Sequence, residues 1–256
     1  MDYLAINKAA WDKRAALHLD TEFYDVAGFM AGNSSLKSIE RELMGDVSGK
    51  KLLHLQCHFG LDSLSWARLG AEVTAVDLSS EAIKQAEQLA EKTGLQAEFI
   101  CQDVYGYGEQ SQAIHDWVFA SYGALCWLPD IERWAQVVAA NLKPGGQLCL
   151  VEFHPVHDLL SGYGYFHREQ ADLDEEGSYT EVEGDEESPM LTWGHPLSDV
   201  LNALIKAGLS IEQVHEYDYS PYDCFEDLSQ RAEGEFVYEH EHYNSPLVYS
   251  IVARKN

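Results

Sequence analysis

Between Lys50 and Val104 the chain alternates short apolar runs with amphipathic stretches, punctuated by glycines and small polar caps, and this alternation leaves few folds open. Leu52 to Leu55 is an apolar run that enters a turn, Gln56-Cys57-His58-Phe59-Gly60, and then a helix expected over Leu61 to Leu69, which Gly70 ends. Glu72 to Val76 reads as a second buried strand, closed by Asp77. Ser79 or Ser80 caps the next helix, whose Ile83, Ala86 and Leu89 share a face before Gly94 stops it. A third strand, Ala97 to Cys101, finishes just before Asp103. Strand and helix in turn, with short links, make a parallel α/β half-sheet with right-handed crossovers.

A sheet built this way binds ligands in the crevice outside the carboxyl ends of its strands. Three features converge there: the Gln56 to Gly60 turn, which offers backbone groups at close range, Asp77 at the second strand tip, and Asp103 at the third. A carboxylate at the second tip can accept hydrogen bonds from both hydroxyls of a ribose, and one at the third from an adenine amino group. Either acid alone is equally readable as a cap for a neighbouring strand or helix. The ordered pair behind a turn ending in glycine suits a nucleoside.

On these residues the chain resembles the class I S-adenosylmethionine-dependent methyltransferases, over roughly residues 50 to 153. The family's first motif, a strand and a glycine-rich turn, falls on Leu52 to Gly60, with Gln56, Cys57 and Gly60 in the cofactor-binding turn. Its acidic ribose ligand falls on Asp77, beside Leu78, and its adenine-contacting acid on Asp103 with Val104. The fourth-strand motif falls on Asp116 to Ser121, and Leu-Lys-Pro-Gly-Gly before a strand stands intact at Leu142 to Gly146, the most specific single match. The resemblance implies an α/β fold: a Rossmann-like, seven-stranded, mostly parallel sheet with helices on both faces, strand seven antiparallel between strands five and six, and insertions after strands five and six. It also implies S-adenosyl-L-methionine as cofactor, methyl transfer by in-line displacement, and Ser121 at the cofactor's methionine part. An N-terminal helical lid over residues 1–46 would precede a methyltransferase domain over 47–256. The family usually has glycines where this chain has Gln56 and His58, and an acid where it has His54. A side chain at Gln56 either crowds the methionine portion of the cofactor or replaces a backbone contact with its own amide.

A chain of 256 residues is long enough for one such domain with elaborations. Its 43 Asp and Glu against 17 Lys and Arg give a net charge of −26. Nucleic-acid affinity rests on Lys and Arg neutralising phosphates, so this balance argues against a tRNA, rRNA or DNA acceptor and towards a small molecule, neutral or cationic. Solubility or a saline cytoplasm explains the charge equally well. No stretch reaches the length of a membrane span, and the N-terminus lacks the apolar block of a signal peptide. Cys57, Cys101, Cys126, Cys149 and Cys224 are odd in number and widely spaced, as buried thiols in a reducing cytoplasm would be. No feature of the sequence sets an oligomeric state.

Ahead of the sheet, Ile6, Ala9, Ala10, Lys13 and Leu17 share one helical face, with Trp11 and Arg14 on another. As parts of a lid, Trp11 or Tyr24 would cover the adenosine or the substrate and Arg14 would meet the cofactor carboxylate; an ordinary packing helix has the same pattern. Leu36 to Met44 reads as a second helix, ended by Gly45, and Tyr105 to Glu109 as a loop. After strand four (Trp117 to Ala120), Ser121 to Asp130 leads along the crevice mouth, where Tyr122 either contacts the methyl donor or acceptor or is plain wall. Strand five is expected over Gln147 to Phe153, a helix over Leu197 to Ala207, strand six over Ile211 to Tyr219 and strand seven over Pro246 to Ala253. The insertions, about 154–196 and 220–245, are expected to wall the substrate pocket. In the first, Tyr179 to Val182 and Met190 to Trp193 are readable as a pair of short strands; a disordered acidic loop is the rival reading, against which the interspersed Tyr, Val, Trp and Phe weigh.

Transfer to a hydroxyl or ammonium calls for a base with a pKa near neutrality. His154, at the end of strand five, and His195, before the next helix, are the candidates beside Tyr122, and each histidine is also readable as a hydrogen-bonded structural residue. His240 and His242, in the run Glu239-His240-Glu241-His242, would share a strand face as metal ligands must, but no third ligand joins them, so no metal is assigned. Two rival functions suit a related sheet. A nicotinamide dehydrogenase lacks its GxGxxG here, and a cofactor-binding protein without catalysis draws support from the substituted turn.

Overall fold

Apolar runs at five places before residue 154 supply the parallel part of the sheet. The computed structural model describes residues 2–19, 21–110, 112–177, 180, 187–240 and 243–256. In it β1 spans Lys51–Leu55, β2 Glu72–Asp77, β3 Ala97–Cys101, β4 His115–Ser121 and β5 Leu142–Phe153, paired parallel throughout. β6 (Asp172–Glu176) and β7 (Ser188–Thr192) form a separate antiparallel hairpin. β8 (Leu209–Tyr217) is followed by two small hairpins, β9 (Ser229–Ala232) with β10 (Glu235–Val237) and β11 (Glu239–His240) with β12 (Tyr243–Asn244). β13 (Val248–Lys255) then enters the main sheet antiparallel to both β5 and β8. Among the described residues this sheet has seven strands in the order β3-β2-β1-β4-β5-β13-β8, the Rossmann-like arrangement expected, with β13 as the antiparallel strand.

Helices α1 (Tyr3–His18), α2 (Val26–Met30), α3 (Ser38–Met44), α4 (Leu61–Arg68), α5 (Ser80–Thr93), α6 (Val104–Gly108), α7 (Ile131–Asn141), α8 (Pro155–Leu160) and α9 (Leu197–Lys206) surround it. Period-two alternation sorts the central strands into two apolar layers. Leu53, Leu55, Val118, Ala120, Leu148 and Leu150 pack with Trp134 and Val138 of α7 and Leu204 of α9. Leu52, Trp117, Phe119, Cys149 and Val151 point the other way, onto Ile39 and Met44 of α3 and Trp66 of α4. Close packing leaves no room for a side chain at Gly146 or Gly60. A Cβ on Gly146 would come 2.8 Å from the His115 carbonyl, and one on Gly60 would meet the Phe99 ring at 2.7 Å and Ala86 at 2.9 Å.

Three expectations differ from the structure. The buried face of α1 is Asn7, Ala10, Arg14, Ala15 and His18, not the Ile6–Leu17 stripe. Its polar members are buried because they are bonded: the Asn7 amide donates to the Leu191 carbonyl at 2.8 Å and accepts from the Leu191 N–H at 2.9 Å. Hydrophobic periodicity cannot register such a face. The partner of β7 is Asp172–Glu176, upstream of the segment expected; Tyr179, Glu181 and Val182 lie outside the described residues. The stretch after Asp103 is the short helix α6 rather than a loop, because the Asp103 side chain caps it.

Candidate functional site

The site lies where the topology predicts, at the carboxyl ends of β1, β2, β3 and β4, as a cavity of about 390 Å³. Its first wall is the turn after β1. Gln56 and His58 take up left-handed backbone at φ +58° and +50°, the conformation a glycine adopts freely. Holding two larger residues there costs roughly 1–3 kcal/mol each, a strain of the kind that collects at ligand sites. The Gln56 side chain turns towards the loop after β4, where its Nε2 donates to the Ala124 carbonyl at 2.6 Å; its Oε1 is buried without a partner among the described residues. His58 Nε2 lies 2.8 Å from His18 Nδ1, a hydrogen bond that ties α1 to the turn. Burial, then His18, pushes the His58 pKa well down, so the ring is neutral. His54, in the family's acid position, hydrogen-bonds Ser63 Oγ at 2.8 Å, and burial lowers its pKa to about 3. Gly60, at φ +79°, begins α4 behind the turn and does not itself line the cavity.

Asp77 closes β2 with one backbone donor on each oxygen, His58 N at 2.7 Å and Ser79 N at 2.8 Å. A carboxylate has about four lone-pair positions, more than its backbone donors fill, so Asp77 keeps accepting capacity for a ligand diol. Burial raises its pKa to about 6 against the pull of those N–H groups. Asp103, beyond β3, caps α6 through Oδ1 (Tyr105 N at 3.1 Å, Gly106 N at 2.9 Å), and its Oδ2 takes no hydrogen bond from the described residues. Cys57, Leu78, Val104 and Ser121 line the cavity with these acids.

The opposite wall is the loop after β4, held by one carboxylate. Glu152 of β5 accepts hydrogen bonds from the N–H groups of Gly123, Ala124 (2.8 Å), Leu125 (3.0 Å) and Phe153 (2.7 Å). This fixes Tyr122 at φ +44°, its hydroxyl donating to Glu40 Oε2 at 2.8 Å. Glu40, on α3, is fully buried, and burial followed by the neighbouring Asp62 raises its pKa to about 7. Asp62 lines the cavity and accepts from Ser35 Oγ at 2.6 Å. Beyond Tyr122 the cavity becomes aromatic, with Phe23, Tyr24, Phe153, Tyr222 and Phe225 around it. Phe23 stacks on Tyr222 at 5.4 Å, and Phe153 meets Phe225 edge-on at 4.8 Å. Among the described lining residues there are three acids, Asp62, Asp77 and Asp103, and no Lys or Arg.

Of the candidate catalytic residues only Tyr122 lines this cavity. His154 caps α8, accepting from Val156 N at its Nδ1, so its Nε2 carries the proton towards Glu216 at 2.9 Å. His195 Nε2 donates to the Leu128 carbonyl at 2.7 Å, and its ring stacks on His167. Burial depresses the pKa of both, and neither reaches the cavity. Trp11 and Tyr24 do line it; Arg14 instead lines a neighbouring cavity, with its guanidinium over the Trp11 and Trp127 rings and donating to the Gly177 carbonyl. Glu241 and His242 of the metal-like run lie outside the described residues, and no group of three metal-ligating side chains occurs among those described.

Glu152, Glu40, Asp62 and Tyr222 were not singled out from sequence. Glu152 alone left a trace there, as the one charge in the apolar run Leu148 to Phe153.

Residues 52–146 match the methyltransferase domain family. A ubiquinone biosynthesis O-methyltransferase of Xanthomonas euvesicatoria pv. vesicatoria is 28% identical over 233 residues, covering 88% of this chain and 90% of that protein. Among solved structures, an S-adenosylmethionine-dependent methyltransferase from Mesorhizobium loti superposes with a TM-score of 0.59 at 20% identity, over 88% of this chain and all of that one. The magnesium protoporphyrin IX methyltransferase of Synechocystis PCC 6803, solved with bound SAH, does so with a TM-score of 0.51 at 15% identity, over 96% of this chain and 100% of that one. At these identities the two structures establish a shared fold.

Proposed function

Because this chain belongs to the class I S-adenosylmethionine-dependent methyltransferases, enzymes that here methylate a small molecule, we propose that its acceptor is a hydroxyl on a flat, uncharged aromatic compound. The observation that carries this reading is the far half of the cavity: aromatic rings on its walls, Asp62 at its edge, and no Lys or Arg among the described lining residues. An anionic acceptor would meet no Lys or Arg on these walls and would lie near the Asp62 carboxyl, which disfavours it. A cationic one would be repelled by the sulfonium beside it. Oxygen as the receiving atom draws support from the relative named an O-methyltransferase.

The cofactor fits the residues present. Asp77, with accepting capacity left over, would hold the ribose hydroxyls, and Asp103 Oδ2 the adenine amino group. Gln56, Cys57, Leu78, Val104 and Ser121 would line its path. Bound S-adenosylmethionine supplies a methyl group already activated on sulfur. The chain's own work is to align an acceptor oxygen behind that carbon, exclude water and remove a proton. Residues 1–46 serve as the lid, with Trp11, Phe23 and Tyr24 over the cavity and the His18–His58 bond fastening α1 to the turn. The net charge of −26 weighs against a nucleic-acid acceptor, no described helix is long and apolar enough to cross a membrane, and the free thiols suit a reducing cytoplasm.

Formation of S-adenosylhomocysteine with matched acceptors tests the proposal. A neutral phenol or catechol should turn over at least about tenfold faster than its carboxylated counterpart, corresponding to roughly 1.4 kcal/mol. Equal rates on the two, or preference for the anion, would overturn it.

A further inference from the structure

Glu40 is a fully buried carboxylate for which the methyl-transfer site so far described has no use. It lies on α3, outside the segment that matches the family, yet it is joined to the cavity through a lining residue: Tyr122 donates its hydroxyl proton to Glu40 Oε2 at 2.8 Å. The other Glu40 oxygen accepts the Lys37 backbone N–H, so the carboxylate is held from two sides. Among the described residues no Lys or Arg forms an ion pair with it. The groups facing it are Tyr122 from the loop after β4, Asp62 from α4, Cys149 from β5 and Tyr217 from β8. The Lys37 ammonium lies over the Tyr222 ring, 4.3 Å from its centroid.

A buried acid without a cationic partner is costly wherever it serves packing alone. Tyr122 adds to the cost, since its hydroxyl is delivered to Glu40 from strained backbone at φ +44°. Both features have a common use if a proton must leave an acceptor bound against Tyr122. His154 and His195 do not reach the cavity, whereas Tyr122 lines it with the Glu40 carboxylate bonded to its hydroxyl, and burial keeps the lining His54 and His58 pKa values well down.

The geometry points to a proton relay in which Tyr122 takes the proton of the acceptor hydroxyl while passing its own to Glu40. The inference rests on the hydroxyl acceptor proposed above. In the step, the acceptor oxygen forms its bond to the methyl carbon as the sulfur–carbon bond breaks and sulfur keeps that electron pair. The acceptor O–H proton moves to Tyr122 Oη, and the Tyr122 proton moves to the Glu40 carboxylate. Glu40 starts the cycle ionised and ends it neutral, returning its proton to solvent before the next turnover. Burial and Asp62 place its pKa at about 7, within the range a base needs near neutral pH.

The test compares wild type, Glu40→Gln and Tyr122→Phe on two phenols of similar shape, one of ordinary acidity and one carrying a nitro group that ionises it near neutral pH. Glu40→Gln keeps an oxygen for the Lys37 N–H, and melting curves with S-adenosylhomocysteine titrations establish that each variant is folded and binds cofactor. On the ordinary phenol both variants should lose roughly a hundredfold in kcat, and the fall of the wild-type rate below about pH 7 should vanish in Glu40→Gln. On the ionised phenol the loss should shrink to less than about tenfold, because no proton remains to be moved. Equal losses on both phenols, or an unchanged pH profile in Glu40→Gln, would overturn the relay. Wild type inactive on every hydroxyl acceptor would overturn the acceptor proposal and the relay with it.

Discussion

Burial raises the Asp77 carboxyl to about 6, although Ser79 and His58 each direct a backbone N–H at it. The two requirements on this residue pull in opposite directions. A ribose diol needs the ionised carboxylate as an acceptor, whereas the free fold favours the neutral acid. With a folded pKa above its unfolded value, the group contributes stability that is complete below about pH 4 and is lost as pH rises through about 6. Cofactor affinity runs the other way. Titration calorimetry with S-adenosylhomocysteine should give a constant Kd above about pH 7 and a progressive weakening through pH 6, approaching tenfold per unit below it. Asp77→Asn should bind roughly ten- to a hundredfold more weakly at pH 8 and lose that pH dependence. A wild-type Kd that stays level down to about pH 5 would remove Asp77 from the ribose contact.

At the level of elements, periodicity gave away most of the sheet. Val73, Ala75, Leu148 and Leu150 are apolar at alternating positions, and Ser79 and Gly94 bracket α5 by capping rules. What stayed hidden was whatever depends on hydrogen bonds between distant segments. The buried face of α1 is polar, paired to Leu191 and His58 across the fold, and its sequence pattern pointed to the wrong stripe. Asp77 and Asp103 could be placed because strand tips are set by local pattern. Glu40 could not, since its partner Tyr122 is 82 positions away in the chain. Glu152 is the clearest case. One side chain on β5 organises the whole loop after β4 by accepting its successive N–H groups. Glu152→Ala should leave those donors buried and unpaired, lowering urea stability by about 3 kcal/mol or more and releasing the Tyr122 wall, so that kcat falls further than cofactor affinity. Glu152→Gln, which retains one acceptor oxygen, should recover part of both. An alanine variant as stable as wild type would mean that the loop holds itself without this carboxylate.

Over the whole molecule, the surface must carry an excess of 26 negative charges. Salt acts on it with two opposing signs. Screening weakens attractive pairs such as Arg254–Glu212 at 2.5 Å and Arg231 with Asp218 at 2.8 Å and Glu235 at 2.9 Å. These are exposed, and such pairs contribute about 0–1 kcal/mol each. Screening also relieves repulsion among the unpaired acids, which is strongest in the compact state. The acids outnumber the Lys and Arg by more than two to one, so most have no cation to lose and all have like neighbours to be shielded from. Relief therefore outweighs loss. Raising NaCl from about 0.02 M to about 0.5 M shortens the Debye length from roughly 20 Å to roughly 4 Å, below the spacing of most surface acids. Tm should rise by roughly 4 °C or more, equivalent to about 2 kcal/mol for a chain of this size. Arg231→Ala, which removes the cation between Asp218 and Glu235, should make the rise steeper, because it deletes an attraction and exposes two acids to each other. A Tm that falls with added NaCl would show that paired charges, and not the excess, govern the stability of this surface.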